Sequence, residues 1–354
     1  MVRAVPYPDG GGGMNNTTPP YALGTFSIAG ATPFAGLILG QRRVISLRAL
    51  QPQCRKLGHD LLLGATLLDV FDAWDKNQAA ISHAANYLLQ HGEGGLPFVD
   101  VALLRVHAPL EQPRQFFCSG ANYRKHVIDL IIDQARDPAT QGLSAAAARA
   151  YAEQLMDDRA AHGEPYIFTK AWSSITGPFD DIPLPANVSQ PDWELELAVV
   201  IGKEAFHVAA ADAYDYIAGY TIVNDITNRE LVHRQDLKAI GSDWLMSKSL
   251  PGYTPMGPYI VPAELVSDPQ NIRILLSVNG QVMQDETTAD MIFGIPRLIE
   301  YLSSRIRLFP GDILITGSPA GNGSHHNRFL QAGDVLEGML SGIGIMRNHC
   351  IAAV

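Results

Sequence analysis

The stretch Asp192-Trp193-Glu194-Leu195-Glu196-Leu197-Ala198-Val199-Val200-Ile201-Gly202-Lys203 constrains this chain more than any other. Rich in β-branched and aromatic residues and ended by a glycine, it predicts a strand. Side chains alternate along a strand, so Glu194, Glu196, Ala198 and Val200 share one face. The other face is Trp193, Leu195, Leu197, Val199 and Ile201. A row facing solvent would stay polar, whereas this one turns apolar after its two glutamates. The carboxylates are therefore expected at the mouth of a partly buried cavity. Two carboxylates about 4 Å apart at an effective dielectric near 20 repel by roughly 4 kcal/mol. Either one takes up a proton or a cation lies between them, and a bound cation is the reading pursued here.

A chain of 354 residues accommodates one large core and a smaller domain. With 47% hydrophobic and 18% charged residues it has the composition of a globular protein. A net charge of −10 without a Lys/Arg cluster argues against nucleic acid as a partner. No run of about 18 apolar residues is present, so no membrane span is expected. Cys54, Cys118 and Cys350 are odd in number and far apart, which suits reduced thiols and a cytoplasmic location. Residues 1–20, with Gly10 to Gly13 and Thr17-Thr18-Pro19-Pro20, read as a flexible tail without the apolar core of a secretory signal.

From 21 to 110 the pattern predicts a small N-terminal α+β domain. It has short glycine-bounded strands near 24–28, 36–40 and 44–47, then helix over 60–90 with Leu63, Leu67, Phe71 and Trp74 at helical spacing. Residues 111–354 form the expected catalytic domain, mainly β. Phe116 to Gly120 predicts a buried strand that turns into a helix carrying His126 and Asp129 on one face. That spacing fits a carboxylate-oriented base, and it equally fits a surface pair. Residues 130–164 are alanine-rich, with Ser144 as a helix cap, and read either as a surface helical hairpin or as a lid over the site. The apolar run Ile217 to Asn224 ends at Asp225, which could complete a metal site or cap the next helix. Lys248 lies among apolar neighbours, as lysines that snorkel to water do and as catalytic ones do too. Asn279-Gly280 marks a hairpin, and 292–305 a helix.

Five elements occur in one order: Gly120-x-Asn122-Tyr123-x-x-His126, Glu194-x-Glu196, Asn224-Asp225-x-Thr227-x-Arg229, Ser247-Lys248-Ser249 and Thr316-Gly317-Ser318-Pro319-Ala320-Gly321. Together they resemble the fumarylacetoacetate hydrolase family over about 116–353. The resemblance implies a mixed β-roll catalytic domain, a homodimer, and Mg²⁺ or Mn²⁺ held by Glu194, Glu196 and Asp225. It also implies that Tyr123, Arg229, Thr316 and Gly317 bind substrate with Lys248 while His126 works with an acidic partner. Members act on 2-oxo acids and acylpyruvates. Three departures stand out: Asp129 where the acidic partner is commonly Glu, Val232 where many relatives have Gln, and the length of the 130–164 insert.

Three carboxylates with no His or Cys favour a hard, oxygen-seeking ion over zinc. The expected activity is metal-dependent hydrolysis of a C–C bond in an acylpyruvate. In it His126, held by Asp129, activates water, and Lys248 stabilises the leaving enolate. Decarboxylation or tautomerisation of a 2-oxo acid on the same site is the alternative, as is a catalytically silent protein that binds a small acid. His325-His326 could ligate a metal, although adjacent polar-loop histidines are usually solvated. The glycine-rich 317–323 loop lacks the Gly-Lys-Ser/Thr of a nucleotide-phosphate loop.

Overall fold

A computed structural model describes residues 18–134, 138–234, 236 and 241–353. The expected tail thus lies, except for 18–20, outside the described residues. A 12-stranded sheet runs through the molecule. Its centre is Tyr21–Ser27, Thr254–Pro262, Ile217–Asn224, Leu195–Ile201, Ile313–Ile315 and Phe116–Gly120, in that spatial order. A five-stranded sheet, built on Arg273–Val278 and Val335–Leu340, packs against it. The mixed architecture built on large sheets is the one observed, with helix and strand in similar amounts where the pattern predicts mainly β.

The alternation along Leu195–Ile201 explains the layering. Leu195, Leu197, Val199 and Ile201 enter a core shared with Ile274, Leu276 and Leu336 of the second sheet. Ala198 and Val200 enter the opposite core, with Leu67, Phe71, Trp74 and Ala84. Both faces of this strand are buried, so a one-residue slip would exchange the two cores. Tyr21–Ser27 joins the same sheet through Leu23 opposite Ile260. The strands and helices of 21–110, the segment read as a small N-terminal domain, thus adjoin the central strands and contribute to the second core.

Helix appears at Leu67–Phe71 and Trp74–His91, a shorter extent than the 60–90 pattern suggests. Thr66 and Asp69 form a reciprocal cap that starts the first of these. A helix at Leu47–Lys56, with Pro52 inside it, follows the short strand where no helix was expected; Ser46 caps it by accepting the Ala49 N–H at 3.2 Å. The helix expected over 292–305 is confined to Ile295–Ser303. Asn279 and Gly280 both have positive φ, as the tight hairpin there requires. The insert is a two-helix hairpin, Arg124–Gln134 and Ala145–His162, with Ser144 capping the second helix as expected. All three cysteines are free and buried. Among the described residues no helix is long and apolar enough to cross a membrane.

Candidate active site

Strand register brings the carboxylates together. Leu195 lies opposite Asn224, so the residues just beyond that pair, Glu194 and Asp225, are neighbours at the sheet end. The Asp225 N–H donates to the Glu194 carbonyl at 2.8 Å, and the Glu194 N–H donates to the Asn224 side chain at 2.9 Å. Glu196 stands two residues further in. Ligand oxygens of Glu194, Glu196 and Asp225 lie within 4.8 Å of one another. The sequence suggested a partly buried mouth, but the burial is deeper: Glu194 is 7% exposed, Glu196 2% and Asp225 1%.

Three cations surround this cluster. Lys248 is buried, and its ammonium donates to Glu194 Oε2 at 2.5 Å, to Asp225 and to Thr227 Oγ1 at 2.7 Å. Its three N–H donors are thereby all engaged with protein. The rings of Phe168 and Trp244, stacked on each other, flank the same ammonium at 5.4 and 5.7 Å. Arg229 forks between Asp192 Oδ2 at 2.7 Å and Glu194 Oε1 at 2.6 Å. Lys170 donates to Asp225 Oδ1 at 2.5 Å and to the Tyr253 carbonyl at 2.7 Å. Sequence reasoning attached no role to Lys170 or Asp192. The only signal for Lys170 was a cation directly after an apolar strand, which snorkelling lysines also give.

Glu196 is different. Among the described residues it makes no ion pair, and the Gly317 N–H donates to it at 2.7 Å. Burial, reinforced by repulsion from Asp225 and Glu194, pushes its carboxyl well above the usual range. Burial acts on Glu194 in the same direction, but Arg229 and Lys248 outweigh it and hold that carboxyl below the usual range. For Lys248 burial favours the neutral amine, yet Asp225 and Glu194 win and keep it charged. Lys170 is lowered instead: burial, with repulsion from Lys248, outweighs the attraction of Asp225.

The other expected site residues divide by role. Gly317 has a φ of +97°, and a Cβ there would meet Asn122 and the Ser119 carbonyl at 3.0 Å, so only glycine presents its N–H to Glu196 in this way. Thr316 donates its hydroxyl to the Leu197 carbonyl at 3.0 Å, tying the loop to the strand of Glu196. Tyr123 is fully buried, its hydroxyl near Thr316 but without a partner of hydrogen-bonding geometry. Asn122, whose amide bonds the Phe293 and Thr316 carbonyls at 3.0 and 2.8 Å, fastens the turn before His126. Arg229 orients Glu194, and Val232 is buried on the short helix after it.

His126 is half-buried at a cavity of about 90 Å³ that Asp129, Leu130, Gly321, Ser324 and His325 also line. Surrounding protein pushes its imidazole down to about 4. Glu194 opposes that shift and Arg229 adds to it, while Asp129 contributes least of the named charges. No hydrogen bond joins His126 to Asp129 among the described residues; Asp129 pairs with Arg149 of the second hairpin helix at 3.2 Å. His326 bonds the Met283 carbonyl at 3.2 Å, and neither it nor His325 joins the carboxylate cluster.

The donor set suits a divalent ion. Three buried carboxylates from two strands converge, and one of them lacks a counter-charge. All the donors are hard oxygens, which fits Mg²⁺ or Mn²⁺ and disfavours a thiophilic metal.

Residues 115–351 match the family described as fumarylacetoacetate (FAA) hydrolase C-terminal. The mitochondrial oxaloacetate tautomerase Fahd2a of Rattus norvegicus is 32% identical over 279 residues, 78% of this chain and 78% of its own length. The oxaloacetate tautomerase YisK of Bacillus subtilis strain 168 is 33% identical over 89% of this chain and 95% of its own. Among solved structures, the fumarylacetoacetate hydrolase of Exiguobacterium antarcticum aligns with a TM-score of 0.69 at 27% identity. That alignment covers 94% of this chain and 99% of that one.

Proposed function

This chain belongs to the fumarylacetoacetate hydrolase family, and from that premise we propose that it is a divalent-metal-dependent enzyme that interconverts the enol and keto forms of an oxaloacetate-type 2-oxo acid. The observation that carries this reading is His126, whose imidazole lines the cavity without a hydrogen bond to Asp129, that carboxylate pairing with Arg149 instead. Tautomerisation needs one group that accepts a proton and gives it back. Hydrolysis needs a base strong enough to activate water and held in line with the substrate carbonyl, for which a carboxylate-oriented His is the usual device.

Glu194, Glu196 and Asp225 would hold Mg²⁺ or Mn²⁺, and such an ion supplies positive charge against the negative charge that builds on a 2-oxo acid as it enolises. The remaining chemistry belongs to the chain. Arg229 keeps Glu194 ionised and aimed inward. Gly317 fixes Glu196 through its N–H. His126 takes the enol hydroxyl proton, the C2=C3 electron pair becomes the new C3–H bond, and the imidazolium returns that proton to C3. Lys248 holds Glu194 and Asp225 and adds positive charge at the centre. The twofold arrangement of copies implied by the family, and a cytoplasmic location suited to three free cysteines, complete the reading.

C–C hydrolysis of an acylpyruvate is the second reading, favoured by the alignment to the Exiguobacterium enzyme. One assay separates them. Purified protein with Mg²⁺ or Mn²⁺ is given enol-oxaloacetate and, in parallel, a short acylpyruvate. Accelerated enol loss without bicarbonate or carboxylic acid release supports tautomerisation, whereas carboxylic acid release from the acylpyruvate supports hydrolysis. Bicarbonate release supports decarboxylation, and saturable binding with no turnover leaves a small-acid binding protein. Sedimentation velocity tests the dimer.

A further inference from the structure

The hairpin places two acid–base groups and one cation where they compete. His126 and Asp129 lie on Arg124–Gln134, three residues apart, and both line the same cavity. Arg149 lies one turn into Ala145–His162, which packs along the first helix through Val127, Ile128, Ala152 and Met156. Its guanidinium reaches Asp129 at 3.2 Å, with Glu153 a second acceptor at 3.9 Å. The Asp129 side chain is 14% exposed and that of Arg149 52%, so the carboxylate sits inside while the cation reaches it from the surface. A carboxylate so neutralised attracts a neighbouring imidazole only weakly.

We propose that Arg149 is a positioning residue for the base: by holding the Asp129 carboxylate it keeps that group away from His126, so the Asp129–Arg149 pair sets how strongly His126 holds a proton. The inference rests on the reading of His126 as the proton-carrying group. It explains why an insert this long faces the site: its second helix supplies the residue that competes for Asp129. With Arg149 in place His126 is a weak base that releases a proton easily, as reversible transfer between oxygen and carbon requires. With Asp129 free to turn, the same imidazole would become a stronger base. Other charges facing His126 are Glu194 and Asp192 from the sheet end, Arg229 from the helix after it, and His325 across the cavity. The ion pairs of Arg149 go to Asp129 and Glu153, and those of Glu194, Asp192 and Arg229 to other partners, so removing Arg149 acts on His126 through Asp129.

The test is an NMR titration of His126 in the full-length protein, with Arg149→Gln, Arg149→Lys and the double variant Arg149→Gln/Asp129→Asn beside the parent. An opposite charge released within reach moves a pKa by about 1–3 units. The His126 midpoint in Arg149→Gln is therefore expected to rise by at least about one unit. It should stay near the parent in Arg149→Lys, which keeps the cation, and return to the parent value in the double variant. A midpoint unmoved in Arg149→Gln, or moved equally in the double variant, overturns the proposal. The pH profile of kcat/KM tests the underlying reading separately. If the midpoint moves and the acid limb of the profile does not, Arg149 tunes His126 but His126 is not the base.

Discussion

Glu194, Glu196 and Asp225 stand on two adjacent central strands of a 12-stranded sheet, buried on both faces and tied by backbone and side-chain hydrogen bonds. His126 and Asp129 stand on a two-helix hairpin whose own core is Val127, Ile128, Ala152 and Met156. Exposed or half-exposed ion pairs such as Arg124–Asp157 and Arg149–Asp129 hold that hairpin together. The charged centre gets its geometry from strand register, which cannot shift without exchanging whole cores. The hairpin that carries the proposed base gets its geometry from contacts that are each worth little in water. The proposed base therefore stands on an element held by weaker contacts than those of the charged centre.

The strongest way to break this contrast is Glu196→Gln. It removes the one carboxylate of the cluster that makes no ion pair among the described residues. Divalent-ion binding measured by calorimetry should be lost, beyond the roughly 10- to 100-fold that a group outside the coordination shell costs, and turnover should go with it. The ion-free protein should nevertheless be about as stable, because burial and the neighbouring carboxylates already favour the neutral form of Glu196, which Gln resembles. If ion binding and turnover both survive, the centre is misassigned.

Lys170→Met tests the same centre from below. Asp225 would lose a buried partner, and breaking a buried pair costs about 3–5 kcal/mol. Urea unfolding should show a loss of that order. A loss under 1 kcal/mol would mean that Lys248 alone neutralises Asp225.

The hairpin half should respond to pH. The folded His126 pKa of about 4 lies below its ordinary 6.5, so the unfolded chain binds more protons between those values. Stability therefore falls as pH drops from about 6.5 to about 4, and kcat/KM rises through about 4 and is then flat. In His126→Gln the stability slope across that window should be shallower than in the parent. Identical slopes in thermal melts would mean that His126 does not titrate there.

The smallest effect is expected at Asp157→Asn, which breaks the 2.6 Å pair to Arg124 with the Asp157 side chain 68% exposed. A change of about 0.2–1 kcal/mol is expected from double-mutant cycles with Arg124. A coupling several times larger would show that the hairpin is as rigid as the sheet.

Much of the fold was legible in local patterns. The strand from Leu195, the apolar strand Ile217–Asn224, the Asn279-Gly280 turn and the helix capped by Ser144 were all set by them. The helix at Leu47–Lys56 was hidden because local propensity at Pro52 disagrees with the packing of Leu47, Leu50 and Cys54 in the second core. Lys170 and Asp192 were hidden for a different reason. A lysine after a strand and an aspartate before one look alike whether they end in water or against another charge.

Alternation along one strand and an apolar run along the next, read from the residues themselves, put Glu194 and Glu196 at the mouth of a cavity and Asp225 at a strand end; that all three are buried together was decided by the tertiary structure. Which cation answers which carboxylate was decided only in three dimensions. Lys170, Arg229 and Lys248 come from three separate segments, and strand register, not spacing along the chain, chooses their partners. The separation of Asp129 from His126 belongs to the same class. Three residues apart on a helix permits a contact, and a guanidinium from a different helix takes it away.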